Sequence, residues 1–228
     1  MKTFAFIFAR GGSKELPGKN IRNLNGVPLL AHSILKAKKV KSISRVFVST
    51  DDEAIAKVAI RYGAEVIERP VELAGDNSPE WLAWRHAIEW LGARNEVFDK
   101  FISLPTTSPL RSVVDINNCL DKLDNETDIV VTMTETSRSP FFNMVREDNE
   151  YIKLLIDVEK SYSRRQDVPK AFDMTTVAYV LWPKFVMEND GIFQGRVKSV
   201  VIPNERAIDI DTKLDFEIAE LLIRKKNE

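Results

Sequence analysis

Residues 4–20, Phe4-Ala5-Phe6-Ile7-Phe8-Ala9-Arg10-Gly11-Gly12-Ser13-Lys14-Glu15-Leu16-Pro17-Gly18-Lys19-Asn20, pass from an unbroken apolar run into a glycine-rich basic loop. The run 4–8 reads as a buried strand, and a strand that breaks into such a loop is a common way to hold phosphate. Gly11 and Gly12 permit positive φ and close backbone approach, so successive N–H groups can turn toward one anion. Arg10, Lys14 and Lys19 add positive charge, and Pro17-Gly18 stops the segment from continuing as a helix. The plainer alternative is a solvated basic surface loop. The spacing is neither G-x-x-x-x-G-K-[ST] nor G-x-G-x-x-G, which argues against a P-loop nucleotide hydrolase and a dinucleotide-binding dehydrogenase.

Outward from this loop, strand and helix patterns alternate. Residues 29–39 are helical, 45–49 a strand, and 51–62 a helix started by the acidic pair Asp51 and Asp52. Residues 65–67 form a short strand, 80–91 a helix, 100–104 a strand and 113–123 a helix. Residues 128–132 are the β-branched run of a buried parallel strand. The alternation predicts a parallel sheet covered by helices on both faces, with ligands at the carboxyl ends of its strands. From about Thr134 to Asp173 the chain turns polar, with strand-like pieces at 143–146 and 151–156, and reads as an excursion from the core. Residues 177–182 and 198–202 return to the sheet. An amphipathic helix over 214–226 closes the chain, its apolar face Phe216, Ile218, Leu221 and Leu222.

Composition agrees with one globular unit spanning 1–228: 44% of the 228 residues are hydrophobic and 29% charged. A net charge of −1 supplies no basic field for nucleic acid or a membrane surface, so any polyanion is held locally. One cysteine, Cys119, makes no internal disulfide and falls on an apolar helix face. No signal-peptide pattern and no apolar stretch of the ~18 residues of a membrane span is present, so a soluble, cytoplasmic protein is expected.

Two further stretches carry chemistry. Ile208-Asp209-Ile210-Asp211-Thr212 places two carboxylates at i and i+2, on one face if the segment is a strand, with the isoleucines turned to the core. Two such carboxylates repel unless a cation sits near them, and Mg²⁺ held by one or two carboxylates plus phosphates relieves this. The alternative is a solvated strand edge with Asp211 or Thr212 capping the last helix. Leu104-Pro105-Thr106-Thr107-Ser108-Pro109-Leu110-Arg111 follows a strand and precedes a helix, so its hydroxyls and Arg111 belong to the same sheet edge, or simply to a capped turn. Arg69, after the strand at 65–67, reaches either a nucleotide or a surface carboxylate.

Five blocks in order make a resemblance: residues 9–20, Arg69-Pro70-x-Glu72-Leu73-Ala74, Thr107-Ser108-Pro109-Leu110-Arg111, Arg165-Gln166-x-x-Pro169 and Asp209-Ile210-Asp211-Thr212. Over nearly its full length the chain resembles the CMP-sialic acid synthetases, the acylneuraminate cytidylyltransferases. The resemblance implies a Rossmann-like three-layer α/β/α domain with a mostly parallel sheet, related to the nucleotide-diphospho-sugar transferases, and a small dimerisation lobe at about 134–173. It implies transfer of CMP from CTP to the anomeric hydroxyl of a 2-keto-3-deoxy sugar acid (a nonulosonate), with release of pyrophosphate. Ala9, Arg10, Gly11, Gly12, Ser13 and Lys19 would cradle the triphosphate, with Asn20 beside the ribose and Arg69 near the cytosine. Asp209 and Asp211 match Mg²⁺ ligands. Arg10, Lys19 and Asp211 are the candidates for catalysis, Asp211 by taking a proton.

The departures gather at the acceptor end. Pro105 or Thr106 stands where the family supplies a glutamine, Phe141, Phe142 and Asn143 where a lysine is expected, and Thr175-Thr176-Val177-Ala178-Tyr179 where Asn-Gly-Ala-x-Tyr is typical. Losing that lysine removes a charge-assisted bond to a sugar carboxylate, worth about 1.5–3 kcal/mol. Pro105, Thr106, Thr107, Ser108, Arg165, Thr175 and Tyr179 are left to meet the sugar, and an acceptor other than N-acetylneuraminate is expected. Two rivals stand beside this reading: a nucleotidyltransferase with another sugar acceptor, and a non-catalytic nucleotide-binding protein of the same fold.

Overall fold

The computed structural model describes residues 1–12, 15–156, 162 and 164–227. In chain order the elements are β1 (Thr3–Phe8), β2 (Asn23–Leu24), β3 (Val27–Pro28), α1 (Leu29–Lys38), β4 (Ile43–Thr50), α2 (Glu53–Arg61), β5 (Glu65–Glu68) and α3 (Glu80–Gly92). They continue with β6 (Lys100–Ser103), α4 (Val113–Lys122), β7 (Ile129–Glu135), β8 (Val145–Asp148), β9 (Tyr151–Leu154), β10 (Phe172–Leu181), α5 (Pro183–Glu188), β11 (Val197–Val201) and α6 (Lys213–Asn227). Seven strands form one sheet in the order β11-β7-β10-β6-β1-β4-β5. All neighbours are parallel except β10, which runs antiparallel between β6 and β7.

The period of two in β1 explains the layering. Ala5 and Ile7 pack with α1, α2 and α4 through Leu30, Ile34, Ile55, Ala59, Ile116 and Cys119. Phe4 and Phe6 face the other way, onto α3 and α5 through Trp81, Trp84, Leu91 and Phe185. The second face is aromatic: Phe6 stacks on Phe101 at 4.4 Å and on Phe47 at 5.4 Å. Burying each such ring contributes about 1.5–3 kcal/mol, so this face anchors the sheet centre. Cys119 is fully buried and its thiol pKa is pushed up to about 12 by desolvation, as expected of a core residue.

Several boundaries differ from the sequence reading. The helix expected from Asp51 starts at Glu53, because the Asp52 carboxylate accepts from Ile55 N at 2.8 Å and so caps it. β10 begins at Phe172 rather than 177, since β7 extends to Glu135 and offers it a partner. The hairpin in the excursion is β8–β9, a separate two-stranded sheet. On α6 the buried residues are Phe216 and Ala219, with Ile223 packed against them, while Ile218 and Leu221 are exposed. The helix therefore docks on a face rotated from the expected one, set by Leu24, Leu29 and Ile210 beneath it. No helix among the described residues is long and apolar enough to cross a membrane.

Candidate active site

Because β1, β4, β5, β6, β7 and β11 all run one way, the segments that follow them meet at one edge of the sheet. There a cleft of about 440 Å³ is lined by Phe8, Arg10, Leu16, Lys19, Asn20, Asp76, Thr106, Thr107 and Asp211, among others. Residues almost the whole chain apart are thus brought together. Ser13 and Lys14 lie outside the described residues, as does the side chain of Arg165, whose backbone sits in a short 3-10 turn, Arg165–Asp167.

The loop after β1 is held by carboxylates. Ala9 N donates to Ser49 O at 3.1 Å, Gly11 N to the Asp51 carboxylate at 3.1 Å, and Arg10 pairs with Asp76 at 2.8 Å. Neither Gly11 nor Gly12 takes a positive φ, contrary to expectation; Gly18 does, at 68°. Gly11 is required for another reason: a Cβ there would lie 2.9 Å from Asp52 Oδ2. Asn20 is buried and bridges two loops, donating to Arg10 O at 3.0 Å and accepting from Thr106 Oγ1 at 2.8 Å.

Residues 207–211 form no strand, which corrects the strand reading of the two carboxylates. Ile210 is buried with Ile208 packed beside it, and Ile210 N donates to Thr107 O at 2.8 Å. Thr212, not Asp211, opens α6: its hydroxyl accepts from Asp215 N at 3.2 Å and the Asp215 carboxylate accepts from Thr212 N at 2.7 Å. Asp211 is thereby free to face the cleft, where its carboxylate accepts from Lys19 Nζ at 2.9 Å. The same ammonium donates to Ile210 O at 2.8 Å. Asp209 Oδ1 is buried and has no hydrogen-bond partner. Among the described residues no group of three His, Cys, Asp or Glu side chains is placed to hold a metal. The orphaned Asp209 oxygen and an Asp211 that already attracts a cation fit a divalent ion completed by ligand oxygens, the arrangement Mg²⁺ favours.

Arg111 is a structural tie. It is fully buried, donating to Val177 O at 2.7 Å, to Ser33 Oγ at 2.6 Å and to Pro105 O. Desolvation lowers its pKa to about 9, and the guanidinium fork pins the Pro105–Ser108 turn to α1 and β10. Ser108 is fully buried with its hydroxyl 2.7 Å from that of Thr176. The Thr175 hydroxyl is turned into the sheet, donating to Thr132 Oγ1 at 2.8 Å, so this side chain does not reach the cleft as expected. Tyr179 packs 5.6 Å from Trp84, and burial pushes its phenol up to about 12.

Arg69 closes a second, adjoining compartment of about 250 Å³, lined with Phe8, Arg10, Leu73, Gly75, Asp76, Ser78 and Glu80. It is buried, lies 5.6 Å from the Phe8 ring centre, and donates through Nε to Ser49 Oγ at 3.1 Å and through Nη2 to Ser49 O at 2.8 Å. Asp76, Ser78 and Glu80 were missed in the sequence because each reads as turn or helix-start chemistry; only the fold carries them to the sheet edge.

The family model for cytidylyltransferases matches residues 4–226. The chain belongs to the cytidylyltransferase family. It is 36% identical over 228 residues to the CMP-N,N'-diacetyllegionaminic acid synthase of Campylobacter jejuni, covering 97% of this chain and 94% of that one. It is 32% identical over 234 residues to a pseudaminic acid cytidylyltransferase of the same species, covering 100% and 99%. Among solved structures, a CMP:2-keto-3-deoxy-manno-octonic acid synthetase complexed with CTP superposes with a TM-score of 0.75 at 16% identity, over 99% of this chain and 100% of that one. This cytidylyltransferase therefore has the fold expected of it, a mostly parallel three-layer α/β/α domain.

Proposed function

We propose that this cytidylyltransferase transfers CMP from CTP to the anomeric hydroxyl of a sialic acid-like 2-keto-3-deoxy sugar acid, releasing pyrophosphate. The observation that carries the reading is the meeting of Arg10, Lys19, Thr106, Thr107 and Asp211 in one cleft, in a chain of this family. The cleft cations are paired with the cleft's own carboxylates, Arg10 with Asp76 and Lys19 with Asp211. A triphosphate offers both cations stronger, doubly charged partners, so binding exchanges internal ion pairs for phosphate contacts. Lys19 then neutralises charge on the phosphates, and its departure frees Asp211. Asp209 and Asp211 would hold Mg²⁺, which supplies charge neutralisation on the triphosphate when bound. In this reading Asp211 also takes the proton of the attacking hydroxyl, and Asn20, which holds the first loop against Thr106, helps align nucleotide and acceptor.

The acceptor end supports a nonulosonate other than N-acetylneuraminate. Phe141 and Phe142 stand where a lysine was expected, and the named relatives act on legionaminic and pseudaminic acid derivatives. The excursion supports a homodimer: Val145, Tyr151 and Ile152 in it, and Phe172 and Met174 at the start of β10, expose apolar surface. A CTP-consuming enzyme with a single cysteine belongs in the cytoplasm. The test is pyrophosphate release with CTP, Mg²⁺ and a panel of N-acetylneuraminate, legionaminate, pseudaminate and the eight-carbon ulosonate. Release with a nonulosonate, abolished by chelation and preferring CTP to UTP, is the expected result; equal rates with N-acetylneuraminate and every other acid would remove the acceptor reading.

A further inference from the structure

The compartment behind the phosphate cleft has a hydrogen-bonding pattern of its own. It shares Phe8, Arg10 and Asp76 with that cleft, so the two spaces adjoin and one ligand can span both. Phe8 supplies an aromatic surface beneath the Arg69 guanidinium, at 5.6 Å, a setting suited to a flat ring. Arg69 can only donate. Glu80, in the first turn of α3, stands with it in the same wall.

Glu80 is placed by more than its helix. One carboxylate oxygen accepts from Trp84 Nε1 at 2.9 Å, which holds the side chain against the sheet edge. The fully buried Ser103 lies close enough to favour the charged carboxylate, yet its Oγ forms no completed hydrogen bond. Ser78 Oγ, in the wall of the same compartment, is likewise buried without a partner. The residue opens onto the compartment, but its carboxylate is crowded by protein, and desolvation raises its pKa; Trp84 and Arg69 act in the opposite sense. A carboxyl group that accepts one bond from the protein, from Trp84 Nε1, thus lines the space beside a buried donor.

We infer that Glu80 is the residue that selects the base of the nucleotide, accepting a hydrogen bond from the exocyclic amino group of cytosine. Cytosine presents an amino donor at position 4 with two acceptors beside it. Arg69 meets the acceptors and Glu80 the donor. Uracil presents a carbonyl oxygen at position 4, which would face the Glu80 carboxylate lone pair to lone pair. A site built to bond one group rejects the analogue lacking it, because its own polar atoms are left unpaired. The inference rests on CTP being the nucleotide donor, as proposed above.

Glu80→Gln tests it on the full chain, because glutamine still accepts from Trp84 Nε1 and leaves the packing intact. For the wild type, calorimetric titration and pyrophosphate release should both favour CTP over UTP; a wild type indifferent to the base would overturn the CTP reading itself, and Glu80 selection with it. For Glu80→Gln the CTP/UTP ratio of kcat/KM should fall about 10- to 100-fold, with CTP weakened, UTP unchanged or improved, and the KM for the sugar acid unmoved. Glu80→Ala should lose the same CTP affinity and, with no amide to meet the uracil oxygen, gain less for UTP than Glu80→Gln. Equal losses for both nucleotides in the two variants, an unchanged ratio, or a change confined to the sugar KM would reject the assignment.

Discussion

The sheet edge around Arg10 and the excursion over residues 136–171 solve the same problem in opposite ways. At the sheet edge, loops distant in sequence satisfy one another: Asn20 links the first loop to Thr106, Ile210 N links the acidic segment to Thr107, and Arg111 ties the 105–108 turn to β10. Among the described residues of the excursion β8 and β9 pair with each other alone, and Val145, Tyr151 and Ile152 leave apolar surface in solvent. The first region is organised within one chain. The second leaves apolar side chains in solvent, the surface on which the proposed dimer rests. The proposed nucleotide cleft is thus tied together by bonds within one chain, whereas among the described residues the strands of the excursion are not tied to it in that way.

The largest expected effect tests whether the sheet edge is chemical as well as structural. Lys19→Ala should lower kcat/KM by about 10²–10³-fold, as for loss of one preorganised charge stabiliser, while the thermal midpoint stays put. A parallel loss of stability would make the Lys19–Asp211 pair a structural bond. Arg111→Ala should do the reverse, costing about 3–5 kcal/mol of stability because two or more buried carbonyls lose their donor at ~1–3 kcal/mol each. Denaturant titration reads this directly, and a change below ~1 kcal/mol would show that water replaces the guanidinium.

A smaller effect concerns the support beneath the acidic segment. Arg206 clamps the buried Asp115 with two bonds of 2.9 Å, just ahead of Asp209. Burial pushes the Asp115 pKa up, but the hydrogen bonds from Arg206 and Ser112 outweigh it and hold the carboxylate below its ordinary value. A depressed folded pKa means the pair stabilises the fold above the unfolded value and loses this as pH falls through the folded one. Arg206→Ala should therefore cost about 1–3 kcal/mol at neutral pH, a gap that closes as pH falls below ~4. A gap independent of pH would mean that the loss is one of packing. The smallest effect on the monomer sharpens the other side of the comparison. Ile152→Lys should leave monomer stability within ~0.5 kcal/mol while weakening self-association in sedimentation; an unaltered dimer would place the interface elsewhere.

Much of the molecule was legible before any coordinates. The unbroken apolar run of β1, the β-branched run of β7 and the helix periodicities state the layering, because a strand buried on both faces stays apolar throughout and a helix buried on one face leaves a period. The ordered blocks at Arg10, Arg69, Thr107 and Asp209 likewise named the segments that converge. What the sequence by itself determined, then, was the fold class, the family resemblance and the segments of the cleft. Tertiary structure alone decided that Arg111 is buried and structural, that Thr175 turns into the sheet, that Lys19 holds Asp211, and that Glu80 faces the Arg69 compartment. The reason is physical. Periodicity records which residues leave water, whereas hydrogen-bond partners are chosen among whatever groups distant segments bring within reach, and that choice has no signature along the chain.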